Sequence, residues 1–250
     1  CVATVLLDTG IIPMQEPETE IILEAPAGLV KVKAECNNGK ARRISIQNVP
    51  AFVGILDQTL TVPGIGSLRV DTAYGGDTFV IVNAADLNFK LVSREAKHLA
   101  EIGIRITNSA NEQLKFQHPE NNDWNKFSFC LFAGPLHRDG KRLSSRAAVA
   151  IQPGKIDRSP TGTALCARMA LLNARGEMHH EDILEVSSII DSKFSGRIIG
   201  HTSVGNIKGI VPEVSGRAWV TGTHQYYLDP DDPWPEGYRL ADTWPDFKMG

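Results

Sequence analysis

Two stretches of this chain follow one plan, and a repeat of that kind limits the folds open to it. Residues 1–10 (CVATVLLDTG) read as an apolar helix stopped by Gly10. Acidic residues follow, then the paired-strand pattern EIILEAPAGLVKVKAE. Residues 164–175 read as a second helix, with Leu165, Met169 and Leu172 at i, i+4 and i+7, alanines between them, and Gly176 as the stop. Acidic residues follow again, then DILEVSSIIDSKFSGRII. Each copy is a helix, a Gly stop, an acidic loop and paired strands, which implies two similar halves.

The remainder is strand-rich. Residues 20–24 and 29–35 read as strands, and Asn37-Asn38-Gly39 is a hairpin turn into a return strand beginning at Ile44-Ser45-Ile46. Residues 49–62, 67–73 and 78–82 are further strand material. The run TFVIV at 78–82 lacks alternation, as a strand buried on both faces does. Residues 84–111 read as a helix with Leu91, Ala96, Leu99, Ala100, Ile102 and Ile106 on its apolar face. Residues 127–132 and 147–151 are strands joined through Asp139-Gly140, and 182–186, 195–199, 209–214 and 218–221 are strands, the last two split at Ser215-Gly216. Residues 229–249 are irregular. Three helices among many strands argue for an α+β class.

The 250 residues allow one large domain or two ordinary ones. A net charge of −3 gives no electrostatic reason for nucleic acid or an anionic membrane as partner, and no apolar run approaches a membrane span of about 18–20 residues. Cys1, Cys36, Cys130 and Cys166 lack CxxC spacing and read as reduced thiols of a cytosolic protein. The chain opens without Met in what reads as a helix already under way. Its start therefore reads as internal to a longer protein, and the lack of a leader says nothing.

One polar turn stands out: Asp157-Arg158-Ser159-Pro160-Thr161-Gly162-Thr163, running into the second helix. The first turn of a helix has N–H groups without intrahelical partners, at the positive end of the dipole. Two readings follow from local pattern. One is a carboxylate or phosphate seat at residues 161–163 with Asp157 nearby to meet a cation. The other is a capped helix after a tight turn. Other candidates are weaker. His179-His180 has no metal-ligand spacing and reads as solvated loop. Asp229-Pro230-Asp231-Asp232-Pro233 lacks the Gly and distal Glu of a calcium loop and reads as a turn. Gly64-Ile65-Gly66 lacks the third glycine of a dinucleotide site. Glu213 with Arg217 reads as a surface pair, and Cys166 as a buried, inert thiol. Trp219, Trp234 and Trp244 read as core or lid.

The turn closely resembles the second active-site motif of the proline racemase family, DRSPCGT. Asp71-Thr72-Ala73-Tyr74-Gly75-Gly76 is similar to its central-strand motif. Pro212-Glu213-Val214-Ser215-Gly216-Arg217-Ala218-Trp219-Val220-Thr221-Gly222, with His224-Gln225 and Asp229-Pro230, is similar to its C-terminal signature. The resemblance implies a diaminopimelate-epimerase-like α+β fold: two pseudo-symmetric halves, each with strands around a central helix, and the site between them. The halves would be 1–88, N-terminally incomplete and completed by 222–250, and 89–221, carrying DRSPTGT. It further implies no pyridoxal or metal cofactor, a small hydroxyproline-like imino acid as substrate, and the dimers that occur in the family. The family's first motif, MCGH or a serine variant, would place its acid/base six residues before Cys1. The repeat points there too, since Gly176 lies 15 residues after Thr161 and the same step back from Gly10 reaches that position. Cys1 is then not the catalytic thiol.

At one position the chain departs from the racemase pattern: Thr161 stands where the second Cys would be. Inversion at Cα needs a base on one face and an acid on the other. A thiol of pKa about 8.5 serves either role, whereas a threonine hydroxyl is far too weak an acid. One-base removal of the α-proton followed by loss of a 3-hydroxyl remains open, and the family's Cys-to-Thr members are the trans-3-hydroxy-L-proline dehydratases. The implied roles are Asp157 on the ring ammonium, the N–H groups of Gly162 and Thr163 on the carboxylate, and Thr161 beside Cα, set to hydrogen-bond the departing hydroxyl or a water. A 4-hydroxyproline 2-epimerase or proline racemase working around Thr161 is the alternative, and a non-catalytic binder of proline-like amino acids is a second.

Overall fold

The computed structural model describes residues 1–25, 28–235 and 237. Its described elements run α1 (Val2–Asp8), β1 (Glu18–Ala25), β2 (Gly28–Cys36), β3 (Ala41–Gln47), β4 (Ala51–Val53), β5 (Gln58–Val62), β6 (Gly66–Tyr74) and β7 (Thr78–Asn83). Two short 3-10 turns, Ala84–Leu87 and Ser93–Glu95, lead into α2 (Ala96–Gln113). Then come β8 (Phe129–Ala133), β9 (His137–Asp139), β10 (Arg142–Ile151), β11 (Lys155–Ile156), α3 (Gly162–Ala174), β12 (Ile183–Ser187), β13 (Lys193–Val204) and β14 (Ile207–Gly216).

Strand pairing closes a ring around α3. In the order β14-β13-β12-β10-β8-β7-β6-β4, each strand hydrogen-bonds the next, and β4 returns to β14 through Gly209 opposite Phe52 and Ile210 opposite Ala51. Closure removes the unpaired edges that an open sheet would present. Inside this barrel Ala164, Leu165, Cys166, Ala167, Met169, Ala170, Leu171 and Leu172 are all buried. The helix is therefore enclosed round its circumference, beyond the single face that the i, i+4, i+7 spacing marks.

The ring strands are the wall between two cores. Phe79 and Ile81 of β7 face the core around α3, while Val80 and Val82 face the core under α2. That explains the unbroken apolar run at 78–82. β8 divides the same way, with Leu131 inward and Cys130 and Phe132 outward. α2 packs on the outer side through Leu99, Ile102, Ile106 and Ala110. Gly103 permits the approach, because a Cβ there would stand 2.3 Å from the Cβ of Ala150.

From β14 the sheet continues outward through β3, β2 and β1, where α1 buries Ala3 and Leu7 over Val32, Ala34 and Ile44. The path β1-β2-β3-β14-β13-β12 is symmetric about the β3–β14 pairing. Ser45 lies opposite Ser215 there, and their hydroxyls are 2.8 Å apart. Both copies of the repeat have the expected shape: a helix, a glycine of positive φ (Gly10 at 75° and Gly176 at 71°), and an antiparallel pair. A division at 88/89 would part β7 from β8, which pair in parallel across it. Of 222–250, residues 236 and 238–250 lie outside the described residues, and the described part carries no strand or helix.

Five local expectations are corrected. No continuous helix spans 84–111: Asn88 (φ 58°) and Leu91 (φ 54°) are left-handed, which breaks α-helical hydrogen bonding until Ala96. Ser215-Gly216 does not split two strands, because Ser45 and Ile44 of β3 pair with both and they form the last two residues of β14. No strand forms at 218–221, where the chain has left the sheet. Glu213 pairs with Arg197 at 2.7 Å, and Arg217 stacks on Trp219, 5.1 Å from its ring centre. Of the core-or-lid reading, core does not hold for Trp219 and Trp234, which are exposed at 66% and 58%. Trp244 lies outside the described residues. His179 and His180 are exposed loop residues, Asp229 accepts the N–H of Asp231 in a turn, and all four cysteines are free.

Candidate active site

Residues 157–161 form the bend that delivers the chain into the barrel axis. The Asp157 N–H donates to the Val149 carbonyl of β10 (3.0 Å), and the Ser192 hydroxyl donates to the Arg158 carbonyl (2.8 Å), so the bend is tied down on two sides. Within it the Asp157 carboxylate is the acceptor hub. Oδ1 accepts the Ser159 N–H at 2.9 Å, and Oδ2 accepts the hydroxyls of Ser159 at 3.1 Å and Thr161 at 2.5 Å. The Ser159 hydroxyl in turn accepts the Thr161 N–H at 3.1 Å. A carboxylate offers about four lone-pair positions. Three are used, which leaves one on Oδ1 for a further donor.

Thr161 sits at the N-cap position of α3, yet its side chain makes no cap hydrogen bond. Its backbone is at φ 62°, ψ 109°, a region that a β-branched residue occupies at a cost of about 1–3 kcal/mol. The Thr161 side chain therefore does not cap the helix, as a capped helix after a tight turn would have it do. Its hydroxyl hydrogen is committed to Asp157, and its lone pairs remain available as acceptors.

The first intrahelical bond of α3 is from the Leu165 N–H to the Thr161 carbonyl (2.9 Å). The N–H groups of Gly162 and Thr163 donate to none of the described residues, and with the helix dipole behind them they are free to donate to an anion. Space around this turn comes from the loop after β6. A Cβ on Gly75 would fall 2.2 Å from the Thr163 carbonyl oxygen and 2.4 Å from the Ala167 nitrogen; Gly76 (φ 101°) approaches the Thr163 methyl. Tyr74, just before, is held by Phe52, His118 and Trp124, whose rings lie 4.8–5.8 Å from its own.

Asn48 joins these parts and was not singled out in the sequence. Its side-chain amide donates to the Gly75 carbonyl (2.9 Å) and to Cys166 Sγ (3.3 Å). Its partners lie 27 and 118 residues away along the chain, so no local pattern could have marked it. Cys166 is fully buried, and burial pushes its thiol up to about 12 despite the Asn48 donor. It is an inert thiol at neutral pH, as expected. No group of three or more His, Cys, Asp and Glu among the described residues is arranged to hold a metal, and no described helix is long and apolar enough to cross a membrane.

The family model for proline racemase matches residues 1–239. The chain belongs to the proline racemase family. It is 35% identical to a hydroxyproline epimerase from Agrobacterium vitis, solved with bound trans-4-hydroxy-L-proline. That match has a TM-score of 0.86 and covers 98% of this chain and 69% of that one. It is 33% identical to a probable proline racemase from Agrobacterium radiobacter K84, solved with bound carbonate, with a TM-score of 0.85 over 98% of this chain and 71% of the other. A phenazine biosynthesis protein of the PhzF family from Bacillus anthracis, 11% identical with a TM-score of 0.51, shares the fold.

Proposed function

We propose that this member of the family dehydrates trans-3-hydroxy-L-proline to Δ1-pyrroline-2-carboxylate without a cofactor. The observation that carries this reading is Thr161. It supplies a hydroxyl where two-base inversion needs a thiol, and that hydroxyl already donates to Asp157. A group so engaged does not readily reprotonate a carbanion.

In the proposed reaction the substrate carboxylate takes the Gly162 and Thr163 N–H groups, and the ring ammonium takes the remaining acceptor position of Asp157. A base from the first half removes the α-proton. The electron pair left behind forms the Cα–Cβ double bond and the C3–O bond breaks. The departing hydroxide, with the proton that was taken, leaves as water. The enamine then tautomerises to the cyclic imine. The two N–H groups stabilise the enolate-like charge on the carboxylate as it develops, and Thr161 accepts a hydrogen bond from the 3-hydroxyl.

The hydroxyproline epimerase that is 35% identical supports a second reading, epimerisation of a 4-hydroxyproline. Incubating the full-length protein with trans-3-hydroxy-L-proline and trapping the imine with o-aminobenzaldehyde separates the two. The expected result is imine formation with little deuterium at Cα of recovered 4-hydroxyproline in heavy water. Rapid inversion of 4-hydroxyproline with no imine overturns the dehydratase reading. Thr161→Cys is expected to lower imine formation and raise Cα exchange.

A further inference from the structure

A second polar cleft opens toward the C-terminal end of α3 and shares no lining residue with the bend 157–163 or with Asn48. Its volume is about 630 Å3, and Arg168, Arg175, Asp71, Asp86, Gly134 and Glu177 contribute to its wall. Small-molecule sites span roughly 300–1,000 Å3.

Part of its charge is already neutralised. Arg175 donates to Asp57 (3.1 Å) and to both oxygens of Asp71 (2.8 and 2.9 Å), and Arg69 lies 3.7 Å from Asp57. Those two guanidinium groups and two carboxylates balance. Arg168 is left over. Its side chain makes no hydrogen bond or ion pair with any described residue, and its Nε is shut off from solvent without a partner. Burial lowers its pKa while Glu177 and Asp71 oppose that effect, and an arginine in any case stays charged at neutral pH. A half-buried guanidinium without a hydrogen-bonding carboxylate gains from meeting an anionic group in the cleft. Two carboxylates of the same cleft also lack a cation at hydrogen-bond range. Asp86 accepts only from the Asn83 amide (3.3 Å), and the Glu177 side chain bonds to no described residue.

One unpaired guanidinium and two unpaired carboxylates in one cleft complement a ligand bearing a carboxylate and an ammonium. We propose that this cleft binds a small amino-acid zwitterion at a site separate from the α3 N-terminus. Arg168 takes the carboxylate, and Asp86 and Glu177 take the ammonium.

Glycine is the probe, with acetate and methylammonium as its two halves, titrated calorimetrically into the full-length protein. Saturable glycine binding is expected. Arg168→Gln should weaken it about tenfold or more, as loss of a charge-assisted hydrogen bond does. Glu177→Gln and Asp86→Asn should each weaken it about threefold, and saturable glycine binding should persist in Asp157→Asn, which removes the ammonium partner of the seat at the α3 N-terminus and leaves the cleft intact. If Arg168→Gln does not fold, the two exposed carboxylate variants carry the test. Three results overturn the proposal: no saturable glycine binding, binding abolished by Asp157→Asn but kept in Glu177→Gln and Asp86→Asn, or acetate binding as tightly as glycine with no response to either carboxylate variant.

Discussion

In the proposed reaction Thr161 brings together a hydroxyl beside the reacting carbon and a strained backbone. Its φ of 62° is unusual for a β-branched residue, and the Asp157 bond compensates part of the cost. Thr161→Val keeps the shape and the strain but removes the donor, leaving Asp157 Oδ2 with Ser159 alone. The expected loss is about 1–2 kcal/mol of stability by urea denaturation. Thr161→Ser keeps the donor and sheds the branch, so it should match or exceed the parent. Equal stability of the valine and serine variants would show that the Asp157 bond contributes nothing.

Among the elements, the first turn of α3 is positioned by parts remote in sequence. The Gly75-Gly76 loop lies against Thr163 and Ala167, and Asn48 ties that loop to Cys166. Gly75→Ala puts a methyl into the backbone of a helix that the barrel encloses, so neither side yields easily. A cost of about 1–3 kcal/mol is expected. Turnover should fall by much more than stability implies, because a displacement of about 1 Å at a reacting centre costs around 100-fold. The comparison is kcat on folded Gly75→Ala against its urea midpoint. Unchanged kcat in a destabilised variant would detach the loop from the site.

Over the whole molecule, the ring strands separate two cores that share their backbone, so both should unfold together. Two buried thiols report on this. Cys166 lies in the core around α3 and Cys130 in the core under α2; burial raises both thiols, Cys166 to about 12 from an ordinary 9.0. The folded chain keeps both protons above pH 9, while the unfolded chain releases them. Stability from this source is therefore complete below about pH 9 and falls as pH rises toward 12, by about 1.4 kcal/mol per pH unit for each thiol. Cys166→Ala and Cys130→Ala should each remove one such contribution from the slope of unfolding free energy between pH 9 and 11. A variant that leaves that slope unchanged would mean that its thiol is not buried in the cooperative unit.

The repeat, the bend at 157–163, the strand at 78–82 and the inert Cys166 were all legible in the sequence. Each rests on contacts between near neighbours or on a composition that burial demands. The helix limits at 84–111 were not, because Asn88 and Leu91 take left-handed conformations that apolar spacing does not encode. Nor was the enclosure of α3, since a stripe at i, i+4, i+7 looks the same on a helix covered on one side as on one ringed by strands. Asn48, the Gly75 approach and the pairing of Glu213 with Arg197 depend on chain segments that only strand closure brings together. The sequence by itself determined which residues turn the chain into α3 and that a threonine, Thr161, stands at the start of that helix. Tertiary structure decided what its hydroxyl donates to and which remote loop holds the helix start, because both depend on long-range packing that a linear pattern does not record.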